Sequence, residues 1–240
     1  MNFNFFKKNI EENKYGAELD FWKRELKNYI DWYNGKIIIH DTPNPLPNQK
    51  VKVYSEQDSA ILTWFELHQK PKYIKDLELS VNSFKGMKLL DLGSGPFPNS
   101  LIFQDCDVYS LDPLFPKYIE LGYPTFYYEN RAKFVKSFSE NMPFENNYFD
   151  AIISVNAIDH VDDFEKTALE IKRVLKPGGL LRLHVHYHKP TKTEPLEIDD
   201  TRFISAFSWV ENLKKVSQSH EKMGHVLEDL SESYVVWSNF

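Results

Sequence analysis

The sequence of 240 residues has little cysteine, no long apolar run and no excess of positive charge. Its single cysteine, Cys106, excludes a disulfide framework and is typical of a protein from a reducing compartment. Because no segment approaches the ~20 consecutive apolar residues of a transmembrane helix, we predict no membrane span. The net charge of −6 disfavours a nucleic acid as the main partner, since proteins that bind its backbone are usually basic.

Internal repeats, low-complexity tracts and a secretory signal are also missing. Lys7 and Lys8 interrupt the apolar stretch at the amino-terminal end, and acidic residues follow at once. We therefore expect a soluble, cytoplasmic protein. The residues that are present, 42% hydrophobic and 15% aromatic, are enough to form a globular core without a disulfide or a metal staple.

Two regions of different character follow each other along the chain. Residues 1–85 are predicted to form helices at 17–33 and 55–69, with Pro71 ending the second helix. We expect this region to be a helical cap on a second unit, residues 86–240, in one compact structure.

The second region alternates strands and helices. The predicted strands are 87–92, 107–111, 132–138, 151–155, 180–186 and 234–237, and the predicted helices are 98–104, 164–175 and 206–214. The run 151–155 is continuously apolar, as expected of a strand buried on both faces. Alternation at this spacing predicts an α/β fold with a doubly wound, mostly parallel sheet.

A loop with two glycines follows the first predicted strand. Gly93 and Gly95 let the backbone approach a bound ligand closely, and Asp112 ends the second strand, where such folds place an acid that binds ribose. A dinucleotide site requires a third glycine where this chain has Pro98. Pro96 and Pro98 also remove two amide donors that would bind a pyrophosphate. The pattern favours a nucleoside cofactor without phosphate, such as S-adenosylmethionine.

Five segments together resemble the class I S-adenosylmethionine-dependent methyltransferases. They are Leu89-Leu-Asp-Leu-Gly-Ser-Gly, Asp112, Met142-Pro-Phe, Tyr148-Phe-Asp-Ala-Ile-Ile-Ser-Val-Asn and Val174-Leu-Lys-Pro-Gly-Gly. The resemblance covers residues 86–240. It implies a Rossmann-like fold with a seven-stranded sheet, S-adenosylmethionine as the cofactor and a small molecule as the methyl acceptor.

The resemblance also implies eight cofactor-binding positions. They are Asp91, Gly93, Gly95, Asp112, Pro113, Ser139, Glu140 and Asn156. Asp91 and the two glycines match the loop around the methionine moiety, and Asp112 matches the acid that binds both ribose hydroxyls. Ser139 and Glu140 match the stretch that reads the adenine edge, beside Phe138, which stands where many relatives carry an aspartate. Asn156 matches a position near the sulfonium.

Residues after the fourth predicted strand are candidates for catalysis. A hydroxyl acceptor must lose a proton, and a histidine is suited to take it. His160 is the first candidate base, and the alternative is a histidine that caps the next helix or hydrogen-bonds locally. Asp159 is predicted to orient an imidazole or to bind the acceptor. Its alternative role is a favourable charge at a helix start.

His184, His186 and His188 alternate along the fifth predicted strand and therefore share one face. His-x-His is also a spacing of metal ligands, and Asp159 or Glu194 would complete a divalent site. We favour the alternative in which His186 is a neutral catalytic imidazole facing the substrate and His184 is buried. We therefore predict no metal.

The predicted function is O-methylation of a small hydroxylated acceptor. A weak resemblance to sugar and polysaccharide O-methyltransferases makes a sugar or glycan precursor the expected acceptor. N- or C-methylation of a small metabolite is one alternative, and a non-catalytic S-adenosylmethionine-binding scaffold or partner subunit is another. An NAD-dependent dehydrogenase is disfavoured by Pro98.

Two further features bear on the acceptor. Asn156-Ala-Ile-Asp stands where methyltransferases of base amino groups carry Asn/Asp-Pro-Pro and an aromatic residue, so nucleic acid is an unfavourable partner. Trp32 lies off the apolar face of the first predicted helix and is a candidate for stacking on a substrate. The sequence carries no signal for an oligomeric state.

Overall fold

A seven-stranded sheet forms the centre of the computed structural model, which describes residues 3–39, 42–191, 194, 196–222 and 225–240. The strands are β1 (Lys88–Leu92), β2 (Asp107–Leu111), β3 (Ala132–Val135), β4 (Phe149–Val155), β5 (Leu175–Tyr187), β6 (Lys214–Ser219), β7 (Glu221–Lys222), β8 (His225–Val226) and β9 (Ser233–Ser238). The order in the large sheet is β3-β2-β1-β4-β5-β9-β6, and β7 and β8 form a separate pair. β1 to β5 are parallel, whereas β9 is antiparallel to both β5 and β6. This confirms the predicted α/β fold with a mostly parallel, seven-stranded sheet.

The strand order creates the place where a ligand can bind. The chain runs outward from β1 to β2 and β3, and then returns to the other side of β1 with β4. The carboxyl ends of β1 and β4 therefore open a crevice at the reversal of strand order, which is where open α/β sheets bind ligands. The inner strands are apolar because both faces are covered, and Ile152 and Ile153 of β4 are completely buried.

Within the described ranges, six α-helices accompany the sheet. They are α1 (Phe3–Tyr33), α2 (Glu56–Trp64), α3 (Lys70–Asp76), α4 (Phe115–Leu121), α5 (Phe164–Val174) and α6 (Asp200–Ala206). Ser55 caps α2, since its hydroxyl accepts a hydrogen bond from the Asp58 N–H at 3.2 Å. Among the helices described, none combines the length and apolar character that crossing a membrane requires.

The predicted helix break at Pro71 is wrong. One turn of π-helix, Phe65–Gln69, joins α2 directly to α3, and the N–H of Lys70 bonds to the carbonyl of Phe65. Pro71 then occupies the first turn of α3, where its missing N–H costs no helical hydrogen bond. The wider turn removes the clash that proline causes inside a regular α-helix.

The predicted helices 98–104 and 206–214 are also wrong. Asn99–Ile102 forms only a 3-10 turn. The later helix, α6, begins earlier because the carboxylate of Asp199 caps it by accepting from the Arg202 N–H at 2.7 Å. Lys214–Ser219 is instead the edge strand β6 beside β9. Residues 207–213, between α6 and β6, form turns and irregular structure rather than the predicted helix.

The amino-terminal helices pack on the α/β unit through a shared aromatic cluster. Tyr29 of α1 stacks on Trp64 of α2 with 5.2 Å between ring centroids, and Tyr29 also meets the edge of Phe97 in the loop after β1. A residue of the α/β unit thus belongs to the same buried cluster as the cap helices. The division of the chain at residue 85 stays a prediction.

Trp32 lies in this cluster, so its expected contact with a substrate is wrong. Its side chain is completely buried and meets the edge of the Trp64 ring at 4.9 Å. The indole N–H donates to the carbonyls of Thr42 and Pro43, each at 3.1 Å. The proline-containing segment after α1 therefore closes over Trp32 and removes it from the surface.

Candidate functional site

A cavity of about 540 Å³ opens at the carboxyl ends of β1, β2 and β4. Its volume is in the range of small-molecule sites in proteins. The loop after β1, the residues after β2 and the turn after β4 form its floor, and α1 lies across it. One cavity thus joins the three strand ends that the sequence marks with glycines, Asp112 and His160.

The loop after β1 requires glycine at one position in particular. Gly93 has a φ of +74°, and a Cβ atom placed there would lie 2.3 Å from the Cβ of Ala157 after β4. The N–H groups of Gly93 and Ser94 both donate to the Leu111 carbonyl, at 2.8 and 3.2 Å. The loop is therefore held against β2 and leaves backbone exposed to the cavity, together with Gly95.

Asp112 lies directly after β2, on the cavity wall beside Pro113. Its carboxylate accepts hydrogen bonds from the N–H of Gly95 at 3.0 Å and of Leu114 at 2.8 Å. Burial raises the pKa of this carboxyl group to about 6, although both N–H donors act in the opposite direction. The carboxylate is thus fixed in place and faces the cavity as the acceptor that ribose hydroxyls require.

Asp91 occupies a different position from the one that the resemblance implies. Its side chain is completely buried and does not line the cavity. The Tyr73 hydroxyl, from a residue that does line the cavity, donates to Asp91 Oδ1 at 3.1 Å. Burial raises the pKa of Asp91 to about 7. Asp91 therefore supports the cavity wall from behind rather than contacting a ligand directly.

Ser139 and Glu140 line the side of the cavity where the resemblance places the adenine. Glu140 Oε1 accepts from the N–H groups of Asp162 at 2.8 Å and Asp163 at 3.2 Å. Phe138 also lines the cavity and is 46% exposed, with its ring 6.1 Å from that of Tyr15 on α1. An aromatic surface therefore replaces the carboxylate of many relatives.

Trp22 of α1 is a cavity residue that the sequence pattern assigns to core packing. Its indole N–H donates to Glu18 Oε1 at 2.6 Å, and both side chains line the cavity. The Trp22 ring lies 3.4 Å from the position that a Cβ on Gly95 would take. A Glu-x-x-x-Trp spacing on the first helix is the signal that would have indicated this pair.

The turn after β4 lines the other end of the cavity. Asn156 has a φ of +52°, which asparagine tolerates better than most residues, and its N–H donates to the His184 carbonyl at 2.9 Å. This turn places His160 on the cavity wall, with Nε2 at 3.1 Å from Glu194 Oε1 and at 3.8 Å from Asp159 Oδ2. Asp159 itself is completely buried behind the wall.

His160 and Glu194 form a charged pair at this end of the cavity. Burial alone would lower the pKa of His160, but the carboxylates of Glu194 and Asp159 outweigh burial and raise it to about 9. Burial opposes the charge of Glu194, yet contact with His160 keeps the pKa of Glu194 below its usual value. At neutral pH the pair therefore presents a hydrogen-bond donor and an acceptor. The predicted base role of His160 requires it to lose its proton first.

The three histidines of β5 and its extension share one face, as expected from their spacing. His184 and His186 both pack against the Tyr234 ring, at 5.4 and 4.8 Å between centroids, and the rings of His186 and His188 are 4.6 Å apart. His184 is buried, in agreement with the sequence interpretation. His186 does not line the cavity, which contradicts its expected position facing the substrate. Tyr187 lies between His186 and His188 in the chain, and this end of β5 lies behind the cavity wall.

The residues present fit S-adenosylmethionine on structural grounds. The loop with Gly93 and Gly95 exposes its backbone to the cavity, and Asp112 offers a fixed carboxylate to ribose hydroxyls. Pro96 and Pro98 offer no N–H groups to a phosphate, and S-adenosylmethionine has no phosphate. Trp22 and Phe138 provide aromatic surface for its adenine.

Comparison with known proteins agrees with this geometry. A family model described as a methyltransferase domain matches residues 90–183. A sterol 24-C-methyltransferase of Gibberella zeae is 35% identical over 107 residues, which are 41% of this chain and 27% of that protein. A thiol S-methyltransferase of Rattus norvegicus is 29% identical over 127 residues, which are 51% of each chain. The chain thus spans about half or less of the length of these two relatives.

A solved structure shows the same fold. The YcgJ protein of Bacillus subtilis superposes with a TM-score of 0.54 at 16% sequence identity, covering 71% of this chain and 97% of that one. At this identity the likeness concerns the fold alone. The domain match, the sheet order and the glycine loop with Asp112 lead to one conclusion: residues 90–183 match a methyltransferase domain, the fold is that of the class I methyltransferases, and the cofactor is S-adenosylmethionine.

Proposed function

We propose that this protein transfers the methyl group of S-adenosylmethionine to a hydroxyl oxygen of a small molecule. One observation carries the proposal: a single cavity joins the cofactor residues Gly93 and Asp112 with the charged pair His160–Glu194. The pair lies at the end of the cavity formed by the turn after β4, where an acceptor would lie beside the cofactor.

The cofactor, when bound, supplies a methyl group that its sulfonium already activates for transfer. The protein therefore has to bind the acceptor, align its oxygen and exclude water. Glu194 offers a carboxylate that accepts from a hydroxyl, and His160 offers an N–H that donates to one. Such charge-assisted hydrogen bonds are the stronger kind, and they fix the orientation of a hydroxylated molecule.

A sugar or a glycan precursor is the acceptor that we propose within this class. The acceptor end carries three charged side chains, those of His160, Asp162 and Glu194. Several carboxylates and an imidazole suit a molecule with many hydroxyl groups, because each buried hydroxyl needs a partner.

Carbon methylation is the second candidate, and the curated relatives favour it. The relative from Gibberella zeae is named for methylation of a sterol carbon. Exposed aromatic surface at Phe21 and Phe138 on the cavity would also contact an apolar acceptor. Identification of the methylated atom by NMR of the product separates the two candidates.

The test is methyl transfer from labelled S-adenosylmethionine to a panel of sugars, nucleotide sugars, phenols and sterols. We expect a hydroxylated acceptor to be methylated. We expect His160→Gln to lower kcat/KM for that acceptor at least about tenfold, with the affinity for the cofactor unchanged. His220→Gln, at an exposed histidine outside the cavity, is the control and should behave as the parent. Cofactor binding without turnover on any acceptor would support a scaffold and contradict the proposal.

Two tryptophans of α1 give a second prediction. Trp22→Ala removes an aromatic wall of the cavity, so we expect the affinity for S-adenosylmethionine to fall about tenfold. Trp32 lies outside the cavity, and its replacement by phenylalanine loses the hydrogen bonds to the carbonyls of Thr42 and Pro43. We therefore expect Trp32→Phe to lower the free energy of unfolding by about 1 kcal/mol without changing the affinity for S-adenosylmethionine. Calorimetric titration and thermal unfolding of both variants check this. Equal affinities of the two variants for S-adenosylmethionine would contradict the prediction that Trp22 contacts the cofactor.

A further inference from the structure

We propose that Asp159, His186, His188 and Glu194 form a binding site for a divalent transition-metal ion. Each residue offers one ligand atom, and the four atoms all lie within 4.8 Å of one another. They come from three separate places: the turn after β4, the end of β5 and the loop that follows it. This reverses the prediction of no metal, which named Asp159 or Glu194 as a further ligand but did not bring both carboxylates to the histidines.

The first support is a buried carboxylate without a hydrogen-bond donor. The Asp159 side chain is completely buried, and neither of its oxygens accepts a hydrogen bond from any residue in the described ranges. Burying such a charge is costly unless another charge compensates for it. The nearest imidazole nitrogens are 3.8 Å away in His160 and 4.0 Å away in His188. Ligands held at ~2.1 Å around a tetrahedral zinc ion are about 3.4 Å apart, so the 4.0 Å between Asp159 Oδ2 and His188 Nε2 suits a shared ion with small shifts.

The second support is the orientation of His188. Its Nδ1 lies 2.6 Å from the carbonyl of Lys189, which can only accept, so the ring proton is on Nδ1. In the neutral ring Nε2 then carries the lone pair, and it lies 3.6 Å from Glu194 Oε2. It forms no hydrogen bond within the described part of the chain. An imidazole that donates one N–H to a carbonyl and directs the other nitrogen into a cluster is typical of a metal ligand.

Glu194 and His186 are also held by neighbours. The N–H of Glu194 donates to Thr191 Oγ1 at 3.0 Å, and its carbonyl accepts from the Thr191 N–H at 2.8 Å. The Glu232 carboxylate lies 3.3 Å from His186 Nε2. A carboxylate beside a ligating imidazole is a common outer partner in metal sites.

The donor set indicates the class of ion. Two imidazoles suit zinc, iron, cobalt or nickel, and two carboxylates offset a charge of +2. Calcium and magnesium prefer sites made of oxygen ligands, so they fit less well.

The position of the site relates it to methyl transfer. Glu194 lines the cavity, and so does His160, the neighbour of Asp159 in the chain. An ion held here would bind the acceptor oxygen and lower the pKa of its hydroxyl. This role rests on the proposed function, whereas the site itself does not.

In the experiment, the protein is first treated with a chelator. Binding of Zn²⁺ is then measured by calorimetric titration, and binding of Co²⁺ is measured by the visible absorption of the ion. We expect the parent to bind one Zn²⁺ and to give the spectrum of a four- or five-coordinate Co²⁺ site. Asp159→Asn and His188→Gln should each weaken Zn²⁺ binding about 100-fold or more. Asp107→Asn changes an exposed carboxylate at the start of β2, and this control should bind as the parent does. Zn²⁺ at about 100 times its Kd should raise the parent Tm by about 5 °C or more, and the Asp159→Asn Tm not at all.

A second readout uses the metal-free protein. If Asp159 is a metal ligand, Asp159→Asn removes a buried carboxylate that accepts no hydrogen bond from the described residues and whose nearest cation, His160, is 3.8 Å away, so the Tm without metal should stay equal or rise. A fall in Tm on this substitution, together with no Zn²⁺ effect on the parent, would show that the cluster is a structural ion-pair network and would overturn the proposal. S-adenosylmethionine titrated into the same samples separates this outcome from a failure of the proposed function.

Discussion

Gly93→Ala is expected to destabilise the protein by about 3 to 5 kcal/mol, because two costs act at once. The backbone at Gly93 has a φ of +74°, a conformation that alanine adopts only with strain. The added Cβ would also lie 2.3 Å from the Cβ of Ala157, so the loop after β1 and the turn after β4 must separate. Since both segments line the cavity, the affinity for S-adenosylmethionine should fall too.

The two costs can be separated by matched variants. Gly86 has a φ of +75° with open space around it, so Gly86→Ala should cost only the strain, about 1 to 2 kcal/mol. Ala157→Gly removes the atom that the new Cβ would meet. The double variant Gly93→Ala/Ala157→Gly should therefore recover most of the loss beyond the strain. Urea unfolding of the four proteins measures this, and no recovery in the double variant would contradict the close contact.

Asp112→Asn is expected to weaken S-adenosylmethionine binding about 100-fold, which corresponds to ~2.7 kcal/mol. The reason is that hydrogen bonds from two ribose hydroxyls to a carboxylate are stronger than those to an amide. The N–H groups of Gly95 and Leu114 already orient the carboxylate, so the side chain loses little conformational freedom when the cofactor binds. Asp107→Asn, at the exposed start of the same strand, is the matched control and should leave the affinity unchanged.

The affinity should also depend on pH in a defined direction. Burial raises the pKa of Asp112 to about 6, so the carboxylate is ionised above this pH and protonated below it. Ribose hydroxyls favour the ionised form, and the parent should therefore bind the cofactor more weakly as the pH falls through 6. Asp112→Asn should lose this dependence. A parent Kd that stays constant between pH 8 and pH 5 would contradict the contact between Asp112 and ribose.

Local sequence patterns predicted the centre of the fold well. β2 occupies the same residues as its prediction, 107–111, and β1 and β4 differ by only one or two residues at their starts. Short apolar runs bounded by glycine, proline or acidic residues indicate buried strands because few other elements tolerate that composition. The glycine loop and Asp112 were found for the same reason, since the residues that matter lie within one strand–loop–strand unit.

Prediction failed where distant contacts decide the local structure. Pro71 stays within a helical segment because a turn of π-helix precedes it, and no local sequence pattern predicts that turn. Lys214–Ser219 is a strand because β9 pairs with it, and the partner comes later in the chain. Trp32 was a candidate for stacking on a substrate, yet the segment around Pro43 covers it. Trp22 packs against Phe97 in the aromatic cluster, as predicted for its helix face, and it also lines the cavity.

The sequence by itself determined the parallel strands, the methyltransferase domain and the residues of the loop after β1, because their signals depend on neighbours close in the chain. Only the tertiary structure decided the acceptor end. Asp159, His188 and Glu194 converge there because β4 and β5 are adjacent and parallel, so the segments after both strands emerge at one edge of the sheet. Their spacing in the chain does not encode that approach, which arises when the strands pair and bury the carboxylate of Asp159 beneath the cavity wall.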